Sequence, residues 1–524
     1  MFKDHPKGLI PAALSNMGER FGYYIMNAVL VLFLCSKFGL SDEASAIIYS
    51  VFYCGIYVLS LVGGIIADRT QNYKAVIRSG LIIMATGYII LSIPILSTQG
   101  NIGWLLPLTC FALLLIAFGN GLFKGNLQAI VGQMYDNFEA EALAQGPEAY
   151  RRVQGKRDSG FQIFYVFINV GGLIAPFVAP LLREWWLNTH GLIYNAALPA
   201  ACHQYILEGA SMVGDPMKNL LGLIGKVGGT VDANSPDSIR AFCESYLDIF
   251  NTGIHYSFIA SVAAMLISLI IFMVNQKIFP VPAKKEKQVV EDYTPEERAE
   301  MAGEIKRRMY ALFAVLGIVI FFWLSFPQNG QSLSLFARDF VQTDNLAPEI
   351  WQAVNPFFVI TLTPIVMLIF GALSKRGREI STPRKIAIGM GIAGLAFLFL
   401  AIFSFMQGYP SGTEFKRLSD SEQMAIKAGP WVLIVLYFFL TVAELFISPL
   451  GLSFVSKVAP KHLQGLCQGL WLGATAIGNL FLWIGPLMYN KMPIWQCWTV
   501  FLTICLISMF VMLGMLKWLE KIAK

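Results

Sequence analysis

Residues 12–35, AALSNMGERFGYYIMNAVLVLFLC, decide the fold. A helix of this length crosses a hydrocarbon layer about 30 Å thick. It is an apolar helix that carries Asn16, Glu19, Arg20, Tyr23 and Tyr24. Asn16 to Arg20, Glu19 to Tyr23 and Arg20 to Tyr24 are each one helical turn apart, so the polar residues form a single stripe. An isolated Arg or Glu at membrane depth costs about 3 kcal/mol, so the stripe must face protein or water. Two readings follow: a solute pathway, or an internal Glu-Arg pair that only locks helices together.

Working outward, roughly twelve apolar runs reach spanning length. They begin near Ala12, Ala46, Ile77, Trp104, Gly160, Ile254, Met309, Ile350, Lys385, Trp431, Gly465 and Trp495. The chain has 524 residues, 56% hydrophobic and 14% charged, which excludes a soluble globular fold because so much apolar surface must face lipid. Continuous apolar runs are helical, since barrel strands alternate and backbone groups in lipid must be satisfied within the segment. The fold class is an all-α integral membrane protein with twelve transmembrane helices.

The net charge of +6 follows from loop placement and needs no nucleic-acid partner. With the N-terminus placed in the cytoplasm, cytoplasmic segments hold roughly 27 of the 39 Lys and Arg, and both termini are cytoplasmic. The dense clusters are Arg151, Arg152, Lys156 and Arg157, then Lys284, Lys285, Lys287, Arg307 and Arg308, then Lys375, Arg376, Arg378, Arg384 and Lys385. The first apolar run is interrupted by Glu19-Arg20 and lacks a small-residue cleavage site, so it reads as a retained helix. The localisation expected is the plasma membrane, or the inner membrane in a bacterium.

The charged stretch 276–308 reads as a cytoplasmic linker with an amphipathic helix, dividing six helices in 1–275 from six in 309–524. Gly63-Gly64 through Asp68-Arg69 after helix two is echoed by Gly371 through Arg376 after helix eight. Related halves around a midplane site are a recurrent transporter design. Asp68 and Arg69, at a cytoplasmic helix end, read as a conformational latch. The outer segment 183–252 reads as a small cap of short helices, with Pro199, His203, Pro216, Gly228-Gly229 and Pro236 breaking any long helix. Six of the eight Cys sit in or beside apolar runs, as small buried hydrophobes do. Cys202 and Cys243 lie in this outer segment, where a disulfide forms if that side is oxidising.

The fourth helix carries Lys124 within GNGLFKGN, residues 119–126, whose glycines allow close helix approach around a cation. The tenth carries Glu444 within AELFISP, residues 443–449. Arg20 and Lys124 in the first half and Glu444 in the second make a dipolar pair of poles, which suits a solute with an anionic and a cationic end, such as a short peptide. Tyr57, Asn169, Asn355, Trp471 and Asn479 are weaker polar companions, as ready to bond helix to helix as to touch ligand. No Walker loop, dinucleotide fingerprint or zinc spacing occurs, so neither an enzyme nor a cofactor is expected.

These residues resemble the proton-coupled oligopeptide transporter family of the major facilitator superfamily. Gly18 through Tyr24 resembles part of its helix-one signature, Gly63 through Arg69 the superfamily loop motif, and Phe164 through Gly171 the helix-five signature. Gly121 through Asn126, Asn355-Pro356 and Glu444 through Ser453 add three more. The resemblance implies a major facilitator fold of two six-helix halves with alternating access. It further implies Arg20 and Lys124 near the carboxylate of a di- or tripeptide, and Asn169, Asn355 and Glu444 near its amino end. Tyr23, Tyr24, Tyr57 and Trp471 would line the pocket, with protons as the coupling ion. Many bacterial members carry two extra helices between the halves, for which this linker is too short and too charged. Two departures stand out: Asn16 occupies the position of the family's first helix-one Glu, and Pro327 precedes Gln328 where helix seven commonly has an acidic residue. Glu19 and Glu444 remain as proton-coupling candidates. The rival functions are an anion facilitator of the nitrate type, for which Glu444 is a hindrance, and a nutrient receptor without net transport.

Overall fold

The computed structural model describes residues 5–70, 72–98, 100–149, 156–280, 295–342, 348–376, 380–458 and 464–523. Arg151, Arg152, Lys284, Lys285, Lys287 and Arg378 lie outside the described residues, as does the Asp68 side chain. Twelve helices are long and apolar enough to cross a membrane. Spans 1 to 6 are Leu9–Phe38, Asp42–Ala67, Tyr73–Ser92, Ile102–Gln145, Ile163–Thr189 and Pro236–Asn275. Spans 7 to 12 are Gly303–Phe340, Ile350–Phe370, Thr382–Met406, Trp431–Ser448, Leu470–Lys491 and Ile494–Gly514.

The chain forms two compact units. Unit 1 contains residues 1–283 together with 333–356 and 415–428, and unit 2 contains 284–332, 357–414 and 429–524. Unit 1 is built by close backbone approach at glycines. A methyl on Gly121 of span 4 would meet the Leu59 carbonyl of span 2 at 2.5 Å, and one on Gly119 would meet the Gly80 carbonyl of span 3 at 2.5 Å. Gly63 answers from span 2, 2.2 Å from the Gly121 carbonyl by the same measure, and the Asn126 amide donates to the Gly63 carbonyl at 3.2 Å. Span 1 packs against span 6 through Gly18 and Gly22, and span 5 approaches it through Gly171. Small residues at such contacts are what membrane helices use in place of the hydrophobic effect.

Unit 2 follows the same rule. Gly389 of span 9 meets Phe446 and Ile447 of span 10, and Gly478 of span 11 meets Ile320 and Trp323 of span 7. Span 7 is broken by a 3-10 turn at Phe326–Gly330, where Pro327 is buried. Gln328, fully buried, holds the turn by donating to the Leu482 carbonyl at 3.1 Å and accepting from Ser332 Oγ at 2.6 Å. After span 12, the helix Leu516–Ala523 returns to span 9, where Ser381 donates to Glu520.

The insertion departs from expectation at Pro236. It contains two short helices, Leu198–Glu208 and Asp215–Lys226. Pro236, however, starts the 40-residue helix of span 6 rather than breaking one. It occupies the first turn, where a missing N–H removes no hydrogen bond, and Ser235 caps the end by accepting from the Ser238 N–H. Pro199 and Pro216 sit at helix starts in the same way. The cap is anchored to span 1, since His203 Nε2 and the Asn251 amide both donate to the Ser36 carbonyl, at 2.6 and 3.1 Å. Arg183 is buried across the ring of Tyr194 at 4.1 Å, in the space left by Gly253.

Candidate functional site

The stripe of span 1 is buried as its charge requires: Asn16 is 4% exposed, Glu19 0%, Arg20 6% and Tyr23 3%. Arg20 turns to its chain neighbour. Its Nε donates to Glu19 Oε2 at 2.5 Å and its Nη2 to Glu19 Oε1 at 2.7 Å, a two-point pair that uses two of its five N–H donors. With Asn16 one turn earlier unable to ionise, Glu19 is the counter-ion. Taking two such charges out of water costs several kcal/mol per ion, which only good geometry and further hydrogen bonds offset. A further bond comes from span 4, where Asn120 Nδ2 donates to Glu19 Oε1 at 2.6 Å. The guanidinium lies 4.7 Å from the Tyr23 ring centre.

Lys124 lies one turn beyond Asn120 on span 4, within electrostatic reach of both Glu19 and Arg20. Its ammonium sits over the Tyr57 ring at 4.9 Å, and a methyl on the following Gly125 would touch nothing within 4 Å. Two cations and one carboxylate therefore share this part of unit 1, leaving a net positive pole beside aromatic faces. The rings extend beyond those sequence reasoning selected. Tyr49 stacks on Tyr53 of span 2 at 5.4 Å and Tyr53 meets Tyr57 edge-on at 5.9 Å, and Tyr49 and Tyr23 both donate to Asn27 Oδ1, at 3.1 and 3.4 Å. The spacing of four residues from Tyr49 to Tyr57 was the available signal.

Two further residues fall in unit 1. Asn169 of span 5 gives its amide to the Tyr165 carbonyl one turn back, at 3.0 Å. Asn355, half-buried, precedes Pro356, whose ring, with that of Tyr24, packs where Gly172 leaves room. Glu444 and Trp471 belong to unit 2. Trp471 is buried with its ring against Gly451, where a methyl would come within 1.9 Å of it. Gly451 is two turns from Glu444, on the same helical face of the Trp431–Val458 helix, and Glu444 itself is half-buried. Asn479 is fully buried with neither amide atom partnered among the described residues. Arg69 is exposed at its helix end. Cys202 and Cys243 are buried with their thiols hydrogen-bonded, an arrangement that, with burial, pushes the Cys202 thiol well above its ordinary value.

A second charged cluster escaped the sequence reading. Asp42, at the start of span 2, accepts from Arg338 Nη1 and Nη2 at 3.4 and 3.3 Å and from Lys416 Nζ at 2.6 Å. Arg338 also donates to Asp339, at 2.7 and 3.1 Å. Lys226 of the insertion pairs with Asp420 in the segment that carries Lys416. Next to the cluster, the Ala428 N–H donates to the Phe340 carbonyl and the Gln342 N–H to the Ala428 carbonyl, each at 2.8 Å. All these residues belong to unit 1.

Comparison with known proteins agrees with this arrangement. The POT family model matches residues 74–294 and 283–494. The chain is 27% identical over 492 residues to a dipeptide and tripeptide permease B of Xenorhabdus bovienii, covering 91% of this chain and 86% of the relative. It is also 27% identical over 501 residues to the peptide transporter YePEPT of Yersinia enterocolitica, covering 91% and 87%. Among solved structures it is similar to a peptide transporter POT in complex with sulfate, at TM-score 0.68 and 21% identity over 100% of this chain and 96% of that one. A POT family transporter in complex with 5-aminolevulinic acid matches at TM-score 0.70 and 18% identity, covering 100% and 98%. These structures share its fold, two six-helix halves of the major facilitator type. The protein is a multi-pass membrane transporter, not an enzyme, and it belongs to the POT family.

Proposed function

We propose that the protein takes up di- and tripeptides, or similar amphoteric solutes, by alternating access driven by protons. The observation that carries this reading is the positive pole formed by buried Arg20 and half-buried Lys124 beside the Tyr23 and Tyr57 rings. A peptide carboxylate is the charge such a pole recognises, and Arg20 has donors beyond the two engaged by Glu19. Glu444, with Asn169 and Asn355, takes the amino end; Tyr24 and Trp471 complete the lining. The names of the curated relatives support a peptide as solute. Glu19 and Glu444 are the proton carriers, since Asn16 and Pro327 cannot titrate. The protein lies in the plasma membrane, or the inner membrane of a bacterium, with 1–275 and 309–524 as its halves and 276–308 as a cytoplasmic linker. Both termini are cytoplasmic, with 183–252 outside, and Asp68-Arg69 acts as an inner latch. In an oxidising exterior Cys202 and Cys243 pair as a disulfide, which a reducing agent reveals by altered gel mobility.

Purified protein in vesicles tests the reading by imposing an inward proton gradient or an inside-negative potential and following dipeptide accumulation. Uphill uptake under the proton gradient is expected. Equilibration without accumulation under either force would make the protein a passive facilitator, and no uptake at all, with binding retained, a receptor.

A further inference from the structure

The proton route through Glu19 has one neighbour that ordinary packing does not explain. Asn120 is fully buried in span 4, and its amide nitrogen must face Glu19 Oε1, because a carboxylate only accepts. That orientation leaves Asn120 Oδ1 buried without a partner among the described residues. An orphaned amide oxygen is costly in a dry interior and calls for an explanation. The Tyr88 hydroxyl of span 3, in the field of the Glu19 and Arg20 charges, is likewise buried and unpartnered. Asn120 is also held firmly. Its neighbours Gly119 and Gly121 press span 4 against the backbones of spans 3 and 2 with no room for a methyl, so the amide has little freedom but rotation about its own side chain.

Such an amide offers a donor and an acceptor at the same place. While Glu19 is ionised and paired with Arg20, Asn120 donates to it. When a solute carboxylate draws Arg20 away, Glu19 is left buried without its counter-ion and takes a proton. The new O–H then needs an acceptor, and half a turn of the amide brings Oδ1 to where Nδ2 stood. We propose that Asn120 is a positioning residue for proton coupling, holding the Glu19 carboxyl in both of its protonation states so that proton uptake and carboxylate binding can alternate. This rests on the reading of Glu19 as a proton carrier and goes beyond it by naming the group that makes the exchange reversible.

Among the described residues, the charged and titratable groups around Glu19 and its partner Arg20 are Tyr23 and Tyr24 on the same helix, Tyr88 on span 3, Lys124 on span 4, Tyr53 of span 2 near Tyr23 and Tyr57 of span 2 beneath the Lys124 amine. Span 6 presents Ser261, Ala264, Met265 and Ser268 at Gly18 and Gly22, and span 5 presents Gly171, none of them titratable.

The test is the pH profile of dipeptide uptake into vesicles. Asn120→Asp, nearly isosteric, places a second carboxyl beside Glu19; two adjacent carboxyls hold a shared proton to higher pH, so the midpoint should move upward by at least about one pH unit. Asn120→Leu removes both donor and acceptor. It should lower gradient-driven uptake at least tenfold while peptide counterflow at equal pH falls less than threefold. A residue of merely structural importance would lower the two together, and that result, or an unmoved midpoint in Asn120→Asp, overturns the proposal. Glu19→Gln separates the underlying reading. If it abolishes the pH dependence while Asn120→Asp leaves the midpoint in place, only Asn120 is misassigned; if it keeps the wild-type profile, Glu19 is not the carrier.

Discussion

The Glu19–Arg20 pair and the Asp42–Arg338 cluster are both buried, yet they answer to different constraints. Glu19 and Arg20 are consecutive residues of one helix, so no movement between helices need separate them. Asp42, Arg338 and Lys416 come from three segments, Arg338 lying 296 and Lys416 374 residues beyond Asp42, so the cluster persists only while those segments stay together. A pair within one helix is available for exchange with a solute, whereas a pair between segments fastens them. The first is suited to recognition, the second to fastening segments within unit 1.

The largest effect is expected where recognition and burial coincide. Arg20→Ala leaves Glu19 buried without its cation, a loss of about 3–5 kcal/mol of stability along with uptake. Lys124→Ala should abolish uptake with little change in thermal stability, because its contact is with the Tyr57 ring and an exposed or partly exposed cation–π contact contributes only about 0.5–2 kcal/mol. Parallel unfolding and uptake measurements check the contrast, and equal destabilisation by both would break the distinction between a paired and a recognising cation.

Within the second cluster the effects should divide by burial. The Arg338 side chain is 11% exposed and meets two carboxylates, so Arg338→Gln should cost about 3 kcal/mol of stability. The Lys416 side chain is 43% exposed, and Lys416→Gln should cost less than about 1 kcal/mol. Thermal unfolding at low and high salt measures both, with salt weakening the Lys416 contribution more.

The smallest expected effect concerns the cap. Burial holds the His203 imidazole below its ordinary value of 6.5, so the docked cap resists a proton that the undocked cap accepts. Docking is at full strength above that value and weakens as pH falls through it, by about 1 kcal/mol or less. Limited proteolysis of the 190–235 segment should accelerate from pH 7 to pH 5, and His203→Gln, which keeps a donor for the Ser36 carbonyl but cannot titrate, should remove the acceleration.

The spans were legible because apolar length is a local property: a run from Trp431 or Ile494 reads as a membrane helix wherever the chain goes next. Lys124 was legible for a related reason, since a cation between glycines in an apolar run has few alternatives. The Asp42 cluster was not, because loop charges look alike until the fold brings them together, and Asp42, Arg338 and Lys416 stand next to ordinary helix ends. Pro236 misled the reading because proline begins a helix as readily as it ends one, and only the Ser235 cap distinguishes the cases. Asn120 was passed over between the glycines that position it. The stripe alone allowed a solute pathway or an internal Glu-Arg pair, and only the fold shows Arg20 turned to Glu19.

The central claim is that the Arg20 and Lys124 pole binds the carboxylate of a small peptide. Competition in the vesicle uptake assay between a free dipeptide, its C-terminal amide and its N-acetyl form tests it most directly. The amide should compete at least tenfold more weakly than the free dipeptide, because it offers no negative charge to the net positive pole of Arg20 and Lys124, and Lys124→Ala should narrow the difference. An amide that is carried as well as the free acid by the unmodified protein would contradict the account.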